Sequence, residues 1–147
     1  MKFKFVKSLT LLFLGMLFFG ACQEKKSATT VAQQEKKSDI EVIYFYGKQR
    51  CSTCMAMEKF AKEAIDSVFP EKISDGTLAF RSVDITTPDG EKLADAFEVT
   101  SSSLFVVDNK PEIPEKVDMT AFGFRNARNN RQVYKQGIID QINNFID

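Results

Sequence analysis

The hydrophobic pattern is clearest on either side of a short polar turn at residues 47–50. Residues 41–46 are mostly β-branched or aromatic, which predicts a buried strand. After the turn, apolar residues recur every three to four positions and predict an amphipathic helix. These apolar positions are Cys54, Met57, Phe60, Ala61, Ala64, Ile65 and Val68. We expect this helix to end near Phe69, because the residue before Pro70 disfavours a helical backbone.

The rest of the pattern continues to alternate strands and helices. Residues 78–85, 104–107 and 116–122 each predict a strand. Thr87 followed by Pro88 predicts the start of a second helix, since threonine caps helices and proline suits the first helical position. A terminal helix is predicted from the apolar positions Val133, Ile138, Ile139, Ile142, Phe145 and Ile146. The predicted order over residues 39–147 is β-α-β-α-β-β-α, an α/β fold in which helices flank a mixed sheet.

The first 21 residues predict an export signal. Three lysines lie within the first seven residues, and the apolar run at residues 9–19 is too short for a transmembrane helix. The sequence Phe19-Gly20-Ala21-Cys22 resembles a bacterial lipobox, which implies cleavage before Cys22 and attachment of lipid to it. A plain secretory signal and a retained membrane anchor are the alternatives.

The segment after this signal predicts a flexible tether, because it is polar, free of aromatic residues and low in complexity. We therefore divide the chain into a lipoprotein signal peptide (1–21), a lipidated cysteine with its tether (22–38) and a folded domain (39–147). The expected location is the bacterial cell envelope. The domain would be lipid-anchored to the membrane and would face the periplasm or the cell exterior.

Composition excludes several classes of function. The chain contains no histidine, which excludes Ser–His–Asp triads, Cys–His proteases and zinc sites that depend on histidine. Without residues 1–21, 17 basic and 20 acidic side chains remain, and no basic tract interleaved with aromatic residues occurs. We therefore expect no nucleic acid as a partner. No glycine-rich nucleotide fingerprint occurs either, and we expect no cofactor.

The candidate chemistry lies in Cys51 and Cys54, which flank the start of the first predicted helix. Cys51 is predicted to be an exposed, low-pKa nucleophile, because free helical N–H groups, the helix dipole and neighbouring Arg50 favour a thiolate. Cys54 is predicted to be buried and to act as the resolving thiol. Their spacing brings the two Cα atoms to roughly 5–6 Å, within disulfide reach. A static structural disulfide, half of a metal or iron–sulfur site and inert thiols are the alternatives.

A strand, a tight turn and a cysteine pair opening a helix resemble the thioredoxin layout. More narrowly, residues 44–54 and the Glu-Lys-rich helix after them resemble the nitrophenyl compound nitroreductase subunit ArsF family. Cys51, Thr53 and Cys54 match its Cys-x-Thr-Cys pattern, and Arg50 matches the basic residue before it. The resemblance implies a thioredoxin-like fold and association with a reductase.

Three positions depart from thioredoxins proper. Arg50 stands in place of the tryptophan before the first cysteine, and Phe45 replaces the buried aspartate that assists the resolving thiol. Ser103 takes the place of the cis-proline that faces the cysteines, so hydroxyl groups are expected near Cys51. The Ser52-Thr53 dipeptide between the cysteines is expected to influence their reduction potential.

The sequence therefore predicts an enzyme, a membrane-tethered thiol–disulfide oxidoreductase of the envelope, whose partners are proteins bearing dithiols or disulfides. Its predicted site comprises catalytic Cys51 and Cys54 with supporting Arg50, Ser52, Thr53 and Ser103. A non-catalytic redox or docking subunit of a larger envelope reductase is one alternative, and a metal-binding module through the cysteine pair is another. A basic series before and within the last helix predicts a solvated face or, as an alternative, a docking patch. It consists of Arg125, Arg128, Arg131 and Lys135.

Overall fold

A computed structural model describes residues 37–147, in which four strands and five helices follow one another. The strands are β1 (Ile40–Tyr46), β2 (Leu78–Asp84), β3 (Ser103–Asp108) and β4 (Glu115–Asp118). The helices are α1 (Ser52–Val68), α2 (Pro70–Ser74), α3 (Pro88–Ala96), α4 (Thr120–Asn126) and α5 (Arg131–Ile146). The predicted signal peptide, the lipidation of Cys22 and the tether up to residue 36 lie outside the described residues. Within residues 37–147, none of the helices has both the length and the hydropathy needed to cross a bilayer.

The four strands form one mixed sheet in the order β2-β1-β3-β4. Strands β1 and β2 are parallel and are joined through α1 and α2. Strand β3 runs antiparallel to both β1 and β4. A parallel pair joined by a helix, then an antiparallel pair and a last helix, is the thioredoxin-like arrangement. The predicted fold class is therefore confirmed.

Alternate side chains of β1 divide the core into two halves, as the pleat of a strand requires. Val42 and Tyr44 belong to the half that α1 and α5 cover, where Tyr134 is fully buried. Phe45 belongs to the other half, which α3 covers. There it packs with Phe97 and Phe105 at ring-centroid distances of 5.2 and 6.0 Å. The sheet is thus covered on both faces, which holds the end of β1 in place for the site described below.

The predicted helix boundaries at Phe69 and Thr87 are confirmed. Helix α1 ends at Val68, directly before Phe69-Pro70. Helix α3 begins at Pro88, and the Thr87 hydroxyl accepts a hydrogen bond from the Gly90 N–H at 3.1 Å. Local side-chain chemistry is sufficient to set both ends.

The prediction of a strand over residues 116–122 is wrong beyond Asp118, because helix α4 begins at Thr120. The Asp118 carboxylate accepts a hydrogen bond from the Thr120 N–H at 2.7 Å, and the Thr120 hydroxyl accepts one from the Leu104 N–H at 3.0 Å. These two bonds turn the chain out of the sheet. Met119 and Gly123 are buried four positions apart, so the true period here is helical.

Two smaller differences lie at the ends of the domain. Val133 was predicted to face the core, but it is 54% exposed and Tyr134 is buried instead. The sequence predicts that Ser38 belongs to the tether, yet its carbonyl accepts a hydrogen bond from the Asn109 side chain at 2.9 Å. The carbonyl of Asp39 accepts a second bond, from the Asn109 N–H at 2.7 Å. Ser38 is therefore in contact with the folded domain.

Candidate functional site

The cysteine pair lies where β1 ends and α1 begins. Cys51 is the N-cap of α1, with an extended backbone (φ −74°, ψ 164°), and its sulfur accepts a hydrogen bond from the Cys54 N–H at 3.0 Å. Cys51 is exposed, whereas Cys54 is only 6% exposed. The two residues form a disulfide with a Cα–Cα distance of 5.0 Å. The predicted proximity and the predicted difference in exposure are confirmed.

At the N-terminus of α1, the Cys51 sulfur lies next to polar groups of the backbone. The first turn of a helix presents N–H groups without helical partners, and the helix dipole is positive there. The Cys54 N–H, which contacts the Cys51 sulfur in the disulfide, would also contact a Cys51 thiolate in the reduced chain. Such surroundings lower the pKa of a thiol and raise the fraction that is nucleophilic.

The contacts of Arg50 differ from the prediction that its charge serves to favour a Cys51 thiolate. Its guanidinium forms a salt bridge with Glu58 and lies over the ring of Tyr46, 4.6 Å from the centroid. Partial burial alone would raise the pKa of Glu58, but hydrogen bonds from Arg50 and Ser82 outweigh it and hold that pKa below its ordinary value. The hydrogen bond to Glu58 raises the pKa of Arg50. The charge of Arg50 is therefore compensated by a carboxylate.

Tyr44 supports the inner cysteine, a role that its place in an apolar strand did not suggest. Its side chain is fully buried, and its hydroxyl donates to the carbonyl oxygen of Cys54 at 2.8 Å. One turn further along α1, the buried Tyr134 hydroxyl donates to the carbonyl of Met57, also at 2.8 Å. Two tyrosines thus tie the start of α1 to β1 and α5.

A cavity of about 350 Å³ opens beside the buried cysteine. Its lining consists of Gly47, Gln49, Cys54, Ile85, Thr100, Ser101, Ser102 and Phe124. Ser103 is not part of this lining, since it pairs with Phe45 across the sheet and its hydroxyl donates to the Ser101 carbonyl at 3.1 Å. The loop before β3 thus reaches the cavity beside Cys54 through Ser101 and Ser102, and not through Ser103. The expected hydroxyl groups near Cys51 stay a prediction.

Ser52 and Thr53 occupy the first two positions of α1, with Ser52 exposed and Thr53 half-buried. The Ser52 hydroxyl accepts a hydrogen bond from the Arg128 guanidinium at 3.2 Å. The sequence places Arg128 in a basic series but does not connect it with the cysteines, 76 residues from Ser52. Its approach to the dithiol is a product of the tertiary fold.

The other members of the basic series are distributed differently. Arg131 and Lys135 both bind the Glu63 carboxylate at 2.8 Å. Among residues 37–147, no three His, Cys, Asp or Glu side chains come together in a group that could hold a metal ion.

No known family model and no curated protein matches this sequence. Among solved structures, the chain is similar to a thioredoxin from Thermus thermophilus, with 22% identity and a TM-score of 0.43. That similarity covers 66% of this chain and 72% of the thioredoxin. It is also similar to a malarial protein, with 17% identity and a TM-score of 0.39, over 61% of this chain and 93% of that one. The fold assignment rests on the strand order and strand directions described above.

Proposed function

We propose that the chain is a thiol–disulfide oxidoreductase that works through Cys51 and Cys54 and is tethered by lipid on Cys22 in the bacterial envelope. One observation carries the proposal. The exposed Cys51 sulfur caps α1 and accepts the Cys54 N–H at 3.0 Å, while Cys54 itself is buried with its Cα 5.0 Å away. An accessible sulfur in a thiolate-stabilising position beside a shielded partner is the arrangement that disulfide exchange requires.

In the reducing direction, the Cys51 thiolate attacks one sulfur of a partner disulfide. A mixed disulfide forms as the partner's sulfur–sulfur bond breaks, and the other partner sulfur leaves as a thiolate. Cys54 then loses its proton and attacks the Cys51 sulfur, so the second partner sulfur leaves in turn. Two electrons have passed from the dithiol to the partner, whose two thiolates take up protons. The same steps in reverse donate the disulfide to a partner dithiol.

Cys54 needs a route by which its proton can leave. Phe45, which replaces the aspartate of thioredoxins, is fully buried in the apolar half of the core and offers no base. The carboxylate of Glu58 is held by Arg50 and Ser82, and its lowered pKa makes it a weak base. Because the uncharged residues Ser101 and Ser102 line the cavity beside Cys54, solvent in that cavity is the acceptor in this proposal.

The location in this proposal is supported by the sequence of the front of the chain. The Phe19-Gly20-Ala21-Cys22 segment fits a lipobox, and lipidation of Cys22 would leave one cysteine pair in an oxidising compartment. The resemblance of residues 44–54 to the ArsF family stays a prediction, as does association with a larger reductase. The reaction itself does not depend on either.

The test uses the full chain with Cys22→Ser, so that Cys51 and Cys54 are its only thiols. The reduced chain is mixed with a peptide that contains one disulfide, and the products are identified by mass spectrometry. We expect the parent chain to return to its own disulfide and to release the peptide as a dithiol. Adding Cys54→Ser should instead trap a mixed disulfide at Cys51, and adding Cys51→Ser should abolish the trapped species.

The outcome that contradicts the proposal is a Cys54→Ser chain that forms no adduct while Cys51 remains alkylatable. That result would favour the alternative of a non-catalytic docking subunit. If exchange occurs, the reduction potential decides its direction. A value near the thioredoxin limit of about −270 mV indicates a reductant, and one near about −120 mV indicates an oxidant.

A further inference from the structure

Two cations close to Cys51 in the sequence interact with carboxylates. Arg50, adjacent to Cys51 in sequence, is paired with Glu58. Lys48 contributes to lowering the pKa of Asp84, after the larger effects of the hydrogen bonds that Asp84 receives from Thr86. The residues of the loop before β3 that line the cavity beside Cys54 are all uncharged. A third cation, the guanidinium of Arg128, reaches the first residue of α1.

Arg128 differs from its neighbours in the basic series. Its guanidinium donates to the Ser52 hydroxyl, and Ser52 directly follows Cys51 at the start of α1. Among residues 37–147, no carboxylate lies within salt-bridge distance of Arg128, whereas Arg131 and Lys135 share Glu63. Its positive charge is therefore available to a group at the helix N-terminus.

The backbone that carries Arg128 is held in place by the core. Ala127 is fully buried, and its N–H donates to the Gly123 carbonyl at 2.9 Å. Asn126 is also buried, with its side-chain amide donating to the Phe122 carbonyl at 3.0 Å. Asn130 closes the segment through its N–H, which donates to the Asn126 carbonyl at 2.8 Å. The guanidinium thus extends from a fixed point toward Ser52.

We propose that Arg128 is a positioning residue for the dithiol: held beside Cys51 by the Ser52 hydroxyl, its positive charge stabilises the Cys51 thiolate of the reduced chain. This inference rests on the proposed function, since a stabilised thiolate is of use in disulfide exchange. It assigns to Arg128 the role that the sequence predicted for Arg50. It also gives Ser52 a defined part, that of the anchor for the guanidinium.

The test measures the pKa of Cys51 from the pH dependence of its alkylation by iodoacetamide. The reduced full chain carries Cys54→Ser, and peptide mass spectrometry follows the segment that contains Cys51. A unit charge several ångströms away in a partly aqueous environment changes a pKa by about 0.5–1 unit. Arg128→Gln should therefore raise the Cys51 pKa by about that amount and slow alkylation at pH 6 by about threefold to tenfold.

Three comparisons make the result specific. Arg131→Gln removes the same charge from the same series but from a residue bound to Glu63, and it should leave the Cys51 pKa unchanged. Arg128→Lys keeps the charge and should restore most of the effect. Ser52→Ala removes only the anchor and should produce a smaller rise of the same sign, which keeps the test available if Arg128→Gln fails to fold.

Equal Cys51 pKa values in the Arg128→Gln and Arg131→Gln chains would overturn the inference, as would a Ser52→Ala chain that leaves the pKa unmoved. The readout uses a small alkylating reagent and no partner disulfide. It can therefore succeed when exchange with a peptide disulfide fails, and it can fail when exchange succeeds. The two proposals are distinguishable for that reason.

Discussion

Two buried tyrosine hydroxyls bind carbonyl groups of α1, one at Cys54 and one at Met57. The tyrosine that binds Met57 can serve as a control for the one that binds Cys54. Tyr44 donates to the Cys54 carbonyl and Tyr134 donates to the Met57 carbonyl, each at 2.8 Å. Both side chains are fully buried. Burial, with a smaller contribution from Tyr44, raises the pKa of Tyr134, so its hydroxyl remains a donor at any ordinary pH. Tyr44→Phe and Tyr134→Phe delete the same atom from comparable sites.

The expected loss of stability follows from what each deletion leaves behind. Both carbonyls belong to α1 and keep the helical hydrogen bond from the N–H four residues later, so neither becomes an unsatisfied acceptor. Each substitution should then cost about 1 kcal/mol, the net value of a typical hydrogen bond, and should lower the folded-to-unfolded ratio about fivefold. Urea denaturation should show a lower midpoint for both variants with an unchanged m value.

Thiol reactivity should separate the two variants. Tyr44 holds the turn that buries Cys54, whereas Tyr134 holds the following turn. In the reduced chain, Tyr44→Phe should make local opening of the first turn easier and speed alkylation of Cys54 about fivefold. Tyr134→Phe should leave that rate within about twofold. Equal acceleration in both variants would refute the reasoning, because exposure of Cys54 would then depend on global unfolding.

Two further predictions concern the pH dependence and the packing of the domain. Because Arg50 holds the folded-state pKa of Glu58 below its ordinary value, this carboxylate stabilises the fold above about pH 4.3. That contribution is lost as pH falls through the lowered folded pKa, so Glu58→Gln should flatten the acid limb of a stability–pH curve, and an unchanged limb would contradict this. Gly90→Ala should cost about 1–3 kcal/mol in urea denaturation, since an added Cβ would lie 2.7 Å from the carbonyl carbon of Asp84. Gly47→Ala, where the nearest atom is 3.7 Å away, is its control and should be tolerated.

The parts of the fold that sequence could predict are those set by local chemistry. Thr87 and Pro88 begin a helix because a hydroxyl and a fixed φ act on the adjacent backbone. Cys51 and Cys54 are predictable as a pair because their separation along the chain determines their separation in space. The prediction of a strand at residues 116–122 is wrong because a contact between residues distant in sequence helps to set its end. Its end depends in part on the bond between Thr120 and Leu104, which are 16 residues apart.

Side-chain contacts between distant elements account for most of what the sequence did not reveal at the site. The hydrogen bond between Arg128 and Ser52 spans 76 residues, and that between Tyr134 and Met57 spans 77. Periodicity marks such residues as exposed or buried but does not say what they contact. Arg50 shows the converse error: nearness in sequence to Cys51 suggested a contact, while the guanidinium instead pairs with Glu58.

The loop that faces the cysteines shows how sensitive such predictions are to register. The sequence predicts that Ser103 takes the place of the cis-proline, and in the structure Ser103 is the first residue of β3, paired with Phe45. Side chains alternate between the two faces of a strand, so a shift of one residue reverses the direction of a hydroxyl. Ser102, one position earlier, lines the cavity beside Cys54. The chemistry of the loop was predictable, but the residue that supplies it was not.

The two sulfurs of this site are surrounded in opposite ways, and that asymmetry has a consequence for electron flow. Cys51 meets a backbone N–H and, by our inference, the charge of Arg128, both of which favour a thiolate. Cys54 is buried, its carbonyl accepts a hydrogen bond from Tyr44, and burial disfavours charge. Interactions that stabilise the Cys51 thiolate stabilise the reduced form more than the neutral disulfide, so each of them makes the pair a stronger oxidant. Loss of Arg128 should therefore shift the redox equilibrium with glutathione toward the disulfide, in step with the rise in the Cys51 pKa.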